Sequence, residues 1–143
     1  MRTDLSVSQS IVIHASLEKV WNGMTNPEII KEYLYGTNTI TDWCPGSEIV
    51  FQGEYEGMKY RDHGVVLENQ LLRKIRYSYW SGFSGLEDKP ENYSEVMYEL
   101  KQLSDTETEF TWTQTGYADE SRYEHSKNGM KEFVQSIKNV IES

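Results

Sequence analysis

The chain opens with a segment in which apolar and polar residues alternate with a period of two. Val7, Ile11 and Ile13 share one side of this period with Gln9, while serines occupy the other side. Such alternation, with several β-branched residues, is typical of a β-strand that has one buried face. We therefore predict a first strand within residues 6–15.

Two short amphipathic helices are predicted next. The first follows Ser16, a typical N-cap residue, and has its apolar positions at Val20, Trp21 and Met24. It ends at Asn26-Pro27, because Pro27 lacks an amide proton and restricts the backbone of Asn26. Asn26 can cap a second helix in which Pro27 takes the first position. The apolar face of that helix consists of Ile29, Ile30, Tyr33 and Leu34.

A long region dominated by strand patterns follows. Period-two alternation is clearest in three segments: Ile75, Tyr77 and Tyr79; Val96, Tyr98 and Leu100; and Thr108, Phe110, Trp112 and Gln114. Turn residues such as Pro45-Gly46, Glu56-Gly57 and Ser104-Asp105 separate the segments. We count about six strands here. A meander of strands with one polar face indicates an antiparallel sheet that is solvated on one side and covered on the other.

The cover for this sheet is predicted to be a long C-terminal helix over residues 121–143. Its apolar stripe consists of Met130, Phe133, Val134, Ile137 and Ile141. The order of elements predicts an α+β fold in which a curved antiparallel sheet wraps around this helix. A chain of 143 residues is close to the roughly 150 expected of one domain. We therefore predict a single domain over residues 1–143, with space between sheet and helix at the end that the short helices close.

Charge and composition narrow the classes of partner. The formal net charge is −9, from 23 acidic and 14 basic residues, which disfavours nucleic acids and anionic membranes as partners. Cys44 is the single cysteine, so an internal disulfide is excluded, in keeping with a reducing compartment. No run approaches the roughly 20 apolar residues of a membrane span. These features predict a soluble cytoplasmic protein, either a monomer or a homodimer.

Candidate catalytic and metal-binding residues are few. Asp62 and His63 are adjacent on a predicted strand, so their side chains should point to opposite faces and not pair directly. We expect a packing or capping role for His14 and a surface position for His125. These histidines and Cys44 do not have the spacing of a metal site, and no glycine-rich phosphate loop is present. We therefore predict no cofactor, no metal and no catalytic residue.

The aromatic content is more informative. Aromatic residues make up 13% of the chain, including 10 Tyr and 4 Trp. Such rings can fill a core or form the wall of a cavity, and a filled core is the simpler interpretation of any single one. Inward-facing tyrosine hydroxyls and Gln114, however, need partners that water or a ligand can supply. We predict a mostly apolar cavity lined by Tyr33, Phe51, Tyr77, Tyr98, Trp112, Met130 and Phe133.

Several sequence blocks resemble a known superfamily. The opening of the SRPBCC, or START-like, superfamily is similar to "SIVIHASLEKVWNGMTNPEIIKEYL". Within it, the chain most resembles the family named after the C-terminal domain of the activator of heat-shock-protein-ninety ATPase. Further similar blocks are "WCPGSEIVF", "DHGVVLENQLLRKIRYSYW", "SEVMYELKQLSDTETEFTWTQTGY" and "NGMKEFVQSIKNVIE". Two positions depart from the family pattern: Ser47 replaces a glycine, and Met130 replaces a tryptophan.

The resemblance implies a helix-grip fold, and it leaves three functions open. The first is non-catalytic binding of a small apolar or aromatic ligand in the cavity. The second is a co-chaperone-like module that binds a chaperone partner. The third is a hydrolase or cyclase that uses the same cavity with His63 as its base. We prefer the first, because the sequence does not place two ionisable groups inside the cavity, as a catalytic site requires.

Overall fold

The computed structural model describes residues 1–143. The strands are β1 (Arg2–Ile13), β2 (Asn38–Ile40), β3 (Glu48–Tyr55), β4 (Met58–Gln70), β5 (Lys74–Tyr79), β6 (Ser94–Ser104) and β7 (Glu107–Tyr117). The α-helices are α1 (Leu17–Thr25), α2 (Pro27–Tyr33) and α3 (Glu120–Glu142), and short 3-10 turns occupy Gly82–Ser84 and Pro90–Asn92. No helix has both the length and the apolar composition needed to cross a membrane.

All seven strands form one antiparallel sheet in the order β1-β7-β6-β5-β4-β3-β2. Because β2 to β7 are joined as a meander, only the pairing of β1 with β7 links distant parts of the chain. The register shifts between Val66 and Glu68 and between Gln102 and Ser104, and such irregularities bend a sheet. Helix α3 lies across the resulting concave face. The predicted helix-grip fold is confirmed.

The two short helices meet at Asn26, as the sequence predicts. The Asn26 backbone N–H donates to the Asn22 carbonyl at 2.8 Å and closes α1. Its side-chain Oδ1 accepts a hydrogen bond from the Glu28 backbone N–H at 3.0 Å and caps α2. Ser16 caps α1 by accepting from the Lys19 N–H at 3.2 Å. One asparagine therefore serves two helix ends, and the chain turns sharply between them.

Strand β1 is longer than the alternation indicated. It begins at Arg2, not near Ser6, with an irregular register between these two residues. Arg2 and Asp4 are exposed and bond each other at 2.8 Å. Leu5 is the single apolar residue in this part of the strand and is only partly buried, so a hydrophobic pattern could not reveal it. On the outer face, paired hydroxyls join β1 to β7, including Ser8 with Thr113 at 3.0 Å.

The interior contains two main apolar clusters. One joins the helices to β1, β6 and β7, and includes Ile13, Val20, Met24, Phe110, Val134, Ile137 and Ile141. The other lies on β3 to β6 and consists of Ile49, Phe51, Val66, Ile75, Tyr77 and Val96. Five partly buried residues contact both clusters: Trp21, Leu34, Trp43, Tyr98 and Trp112. The interior is therefore divided, and these five residues lie between the two clusters.

Candidate functional site: an aromatic cavity under the sheet

A cavity of about 580 Å³ lies between the concave face of the sheet and the helices. It is lined by Leu34, Tyr35, Thr37, Phe51, Glu54, Tyr55, Tyr60, Asp62, Tyr77, Tyr79, Phe83, Val96, Tyr98, Trp112, Gln114 and Phe133. Tyr35, Tyr55 and Phe83 in this set are 88%, 63% and 53% exposed. The cavity is therefore open to solvent at the end where these three residues lie.

Strand alternation and register place the sheet residues of the cavity. Phe51 on β3 lies opposite Asp62 on β4, and Tyr98 on β6 lies opposite Trp112 on β7. Since side chains of directly opposed residues project to the same face, both pairs point under the sheet. Gly53 on β3 leaves room for the side chain of Tyr60. A β-carbon at Gly53 would lie 2.6 Å from the Tyr60 hydroxyl oxygen.

The helical wall comes mainly from Phe133 of α3. Its ring centroid lies 5.2 Å from that of Trp112 in an edge-to-face arrangement. Leu34 and Tyr35, which follow α2, complete this side. Trp112 carries an unusual feature, since its indole Nε1 is buried and has no hydrogen-bond partner.

Five of the seven residues expected in the cavity wall occupy it: Phe51, Tyr77, Tyr98, Trp112 and Phe133. Tyr33 and Met130 lie elsewhere. Tyr33 belongs to the core below α1, where its hydroxyl donates to the Gly23 carbonyl at 3.0 Å. Met130 packs with Val7 and Tyr117 in a separate cluster. Met130 precedes Phe133 by almost one turn of α3, so it reaches a different part of the sheet.

The polar groups of the cavity are arranged in hydrogen-bonded pairs. The Tyr79 hydroxyl donates to Asp62 Oδ2 at 2.6 Å. The Tyr77 and Tyr98 hydroxyls lie 2.8 Å apart. Burial raises the pKa of Tyr77 and of Tyr79 well above the usual 10.0, and the negative charge of Asp62 raises the pKa of Tyr79 further. These hydroxyls therefore remain protonated donors at neutral pH.

Asp62 is the functional candidate that sequence reasoning left undecided. The prediction that Asp62 and His63 face opposite sides is confirmed, and Asp62 is the one that faces the cavity. A signal for this choice was present in the sequence. Asp62 shares strand parity with Gly64 and with the buried Val66, so it lies on the covered face of β4.

His63 lies on the other side of the sheet. Its Nε2 is 2.9 Å from Asp88 Oδ2, and the Tyr93 hydroxyl donates to the second oxygen of the same carboxylate. Burial and the bond to Asp88 raise the pKa of Tyr93 to about 12. This cluster ties the segment after β5 to β4. The hypothesis of a cavity reaction with His63 as its base is therefore wrong, because the imidazole does not reach the cavity.

The remaining candidates lie on the surface. His14 is exposed, with Nδ1 3.3 Å from Glu107 Oε2, and its backbone N–H donates to Glu142 Oε2 at 2.9 Å. His125 is an exposed residue of α3, and Cys44 is an exposed free thiol. No three His, Cys, Asp or Glu side chains are grouped as metal ligands.

A curved antiparallel sheet that wraps around a C-terminal helix above an internal cavity defines a START-like protein. Residues 14–142 match the model of the family described as activator of Hsp90 ATPase homolog 1-like protein. The chain belongs to this family. No curated protein sequence gives a significant match.

Solved structures share this architecture. A protein from Cytophaga hutchinsonii, determined in solution, is 37% identical with a TM-score of 0.83, and the alignment covers 99% of this chain and 97% of that one. An HSP90 activator from Plasmodium falciparum is 17% identical with a TM-score of 0.73, covering 96% of each chain. The Aha1 dimer from Colwellia psychrerythraea is 16% identical with a TM-score of 0.72, also covering 96% of each chain. At this level of sequence identity, the Plasmodium falciparum and Colwellia psychrerythraea structures show similarity of fold alone.

Proposed function

We propose that this protein binds a small apolar or aromatic molecule in the cavity without covalent chemistry. The observation that carries this proposal is the open cavity of about 580 Å³, in which twelve of the sixteen lining residues are hydrophobic. Small-molecule sites typically have volumes of roughly 300–1,000 Å³, mostly apolar walls and a few polar groups that orient the ligand. The Tyr77–Tyr98 pair, Gln114 and Asp62 are such polar groups.

The cavity walls are held apart by the packing of the rings themselves. Phe51 lies 5.6 Å from Tyr77 and 5.8 Å from Tyr79 between ring centroids. Trp112 is fixed between Phe133 and the sheet. Tilted and edge-to-face ring contacts of this kind are favourable, so the rings are positioned before a ligand enters. A preformed site loses less side-chain entropy on binding.

Titration with the neutral fluorescent probe phenylnaphthylamine tests this proposal. We expect saturable binding that Phe133→Ala weakens roughly tenfold, since an aromatic wall contact is lost. Tyr123→Ala is the matched control, because Tyr123 is also an aromatic residue of α3 but packs on Tyr117 outside the cavity. Absence of binding, or an equal effect of both variants, would contradict the proposal.

We propose a second function, binding to a chaperone of the Hsp90 type. Support comes from the family to which the chain belongs and from the structural likeness to the Plasmodium falciparum HSP90 activator. Exposed apolar residues at the β3–β4 hairpin, Tyr55 and Met58, provide a surface for such contact. Stimulation of the ATPase activity of the chaperone from the same organism is the measurement. It should decrease in a Tyr55→Ser, Met58→Ser double variant but not in Leu71→Ser, an exposed site on another turn.

We also propose that the protein is a monomer or a homodimer that folds as one START-like domain. The Colwellia psychrerythraea relative was solved as a dimer. Strand β1 is an edge of the sheet, and its pairing is with β7 alone. Analytical ultracentrifugation over a range of concentrations distinguishes the two states. A species larger than a dimer would contradict this proposal.

A further inference from the structure

The buried carboxylate of Asp62 has no positive partner in the protein. Its residue is 7% exposed, and it forms no salt bridge. The Tyr79 hydroxyl donates to Oδ2. No protein group donates to Oδ1, which is not among the fully buried polar atoms without a partner and is therefore accessible from the cavity. A buried carboxylate is costly unless it is paired and hydrogen-bonded. The protein supplies one neutral donor, and Oδ1 remains available to a donor that enters the cavity.

The nearby basic side chains are directed away from Asp62. Its neighbour Arg61 is exposed and bonds Glu48 at 3.2 Å, and His63 bonds Asp88 on the outer side. The residues that line the cavity include two carboxylates, Asp62 and Glu54, and no lysine, arginine or histidine. The cavity therefore has an uncompensated negative charge inside a protein whose net charge is already −9.

Aromatic rings surround the position of this carboxylate. Phe51 is its direct cross-strand partner, Tyr79 bonds it, and Tyr60 lies two residues earlier on the same face of β4. Tyr60 in turn contacts Phe83 at 5.9 Å between ring centroids. Aromatic faces attract cations placed within about 6 Å of the ring centroid. A carboxylate and several rings that share one wall are the two features that stabilise an organic ammonium group.

We propose that the cavity selects a positively charged ligand, namely an amine or quaternary ammonium group attached to an aromatic or aliphatic body. The ammonium group lies at Asp62 between the rings of Phe51, Tyr60 and Tyr79, and the apolar body extends toward Trp112 and Phe133. This inference rests on the proposed ligand-binding function and adds the charge of the ligand. The cation supplies the counter-charge that Asp62 lacks, whereas an anion is repelled and a neutral molecule leaves the carboxylate unpaired.

Three probes of matched size test the charge of the ligand: phenylbutylamine, phenylbutanol and phenylbutanoate, each titrated by calorimetry at neutral pH. We expect the amine to bind at least about tenfold more tightly than the alcohol, and the carboxylate most weakly. Equal affinities for the amine and the alcohol would overturn the inference and leave the proposed function intact. If none of the three binds and phenylnaphthylamine also fails to bind, the proposed function itself fails.

Asp62→Asn removes the charge and preserves the shape of the side chain. We expect this variant to lose the preference for phenylbutylamine over phenylbutanol. Asp88→Asn is the control, since it removes a carboxylate that lies outside the cavity. A preference for the amine that persists in Asp62→Asn would overturn the inference.

A measurement on the unaltered protein covers the case in which Asp62→Asn does not fold. Phenylbutylamine should shift the backbone amide signals of Asp62 and Tyr79 in nuclear magnetic resonance spectra, in proportion to its calorimetric saturation. The alcohol, at equal saturation, should shift the signals of Trp112 and Phe133 and change those of Asp62 less. Identical shift patterns for the two probes would contradict placement of the ammonium group at Asp62.

Discussion

Gly23 of α1 lies directly against Ile141 in the last turns of α3. A β-carbon added at Gly23 would be 2.5 Å from Cγ1 of Ile141, whose side chain is buried. Glycine in a helix costs stability, roughly 0.5–1 kcal/mol relative to alanine. Here it lets two helices approach closely, because any larger residue would displace Ile141 from the core that the helices share.

Alanine substitution should therefore have opposite effects at two helical glycines. Gly129→Ala in α3 meets no atom within 4 Å, so it should stabilise the protein by about 0.5–1 kcal/mol. Gly23→Ala gains the same helix propensity but overpacks the core, and we expect a net loss of about 1–3 kcal/mol. Chemical denaturation measures both free energies of unfolding. Stabilisation by Gly23→Ala would contradict the close packing.

The side chain of Asn26 caps α2, so its replacement should be more harmful than that of a neighbouring asparagine. Asn26→Ala removes the side-chain acceptor for the Glu28 N–H, and loss of an N-cap costs about 1 kcal/mol. Asn22→Ala is the control, since Asn22 is exposed within α1 and its change should stay within about 0.5 kcal/mol. Thermal and chemical unfolding provide the comparison. Equal effects would show that the cap contributes nothing.

The Tyr77 and Tyr98 hydroxyls should be energetically coupled, because they bond each other at 2.8 Å under the sheet. Tyr77→Phe and Tyr98→Phe each leave one hydroxyl without its partner, whereas the double variant leaves none. A double-mutant cycle on unfolding should give a coupling energy of about 1 kcal/mol. Additive effects of the two single variants would refute the interaction.

Alkaline pH should destabilise the protein through its buried tyrosines. Burial is the main cause of a raised pKa in Tyr33, Tyr77, Tyr79 and Tyr98. Because the folded state favours the neutral phenol, this contribution to stability is complete below the usual pKa of 10.0 and decreases as the pH rises above it. Ultraviolet absorbance should show these four hydroxyls ionising together with unfolding. Their ionisation near pH 10 in the folded protein would contradict the burial.

Acid should destabilise the contact between the end of α3 and β1. Lys138 bonds Glu142, whose carboxylate also accepts from the His14 backbone N–H, and both bonds lower the pKa of Glu142 below the usual 4.5. A lowered carboxyl pKa contributes stability above 4.5 that is lost as the pH falls through the folded value. Glu142→Gln should therefore reduce stability at neutral pH and weaken its decrease below pH 4.5.

The control for this acid effect is Glu132→Gln, an exposed position on the same helix. It should leave the dependence of stability on pH unchanged. Equal slopes for Glu142→Gln and the parent protein below pH 4.5 would contradict the role assigned to Glu142.

Local patterns in the sequence predicted the features that depend on local chemistry. The break at Asn26-Pro27 follows from one missing amide proton and one side-chain cap, and it is confirmed. Alternation likewise indicated which residues of β5, β6 and β7 face the helix. The contacts of individual residues along α3 could not be predicted in this way. An apolar stripe shows which face of the helix is buried, but not which part of the sheet each residue on that face contacts. Met130 therefore packs near β1, whereas Phe133 lines the cavity.

Residues outside regular patterns were harder to place. Phe83 lies in a loop between β5 and β6 and reaches the cavity through its contact with Tyr60. Tyr35 follows α2 with a positive φ of 51°, and no periodicity marks its direction. Their positions depend on tertiary contacts between segments that are distant in sequence. The mouth of the cavity therefore could not be predicted, although much of its sheet wall could.

The exposed rings at the mouth have a kinetic consequence. A ligand that passes Tyr35 and Tyr55 meets the cavity without separating any pair of hydrogen-bonded strands. Association should then be limited by diffusion and by the removal of water from the rings, not by a slow opening of the fold. Dissociation follows the same unobstructed route. Binding at such a site reaches equilibrium quickly. The fraction of protein with bound ligand therefore follows the current ligand concentration and does not depend on earlier concentrations.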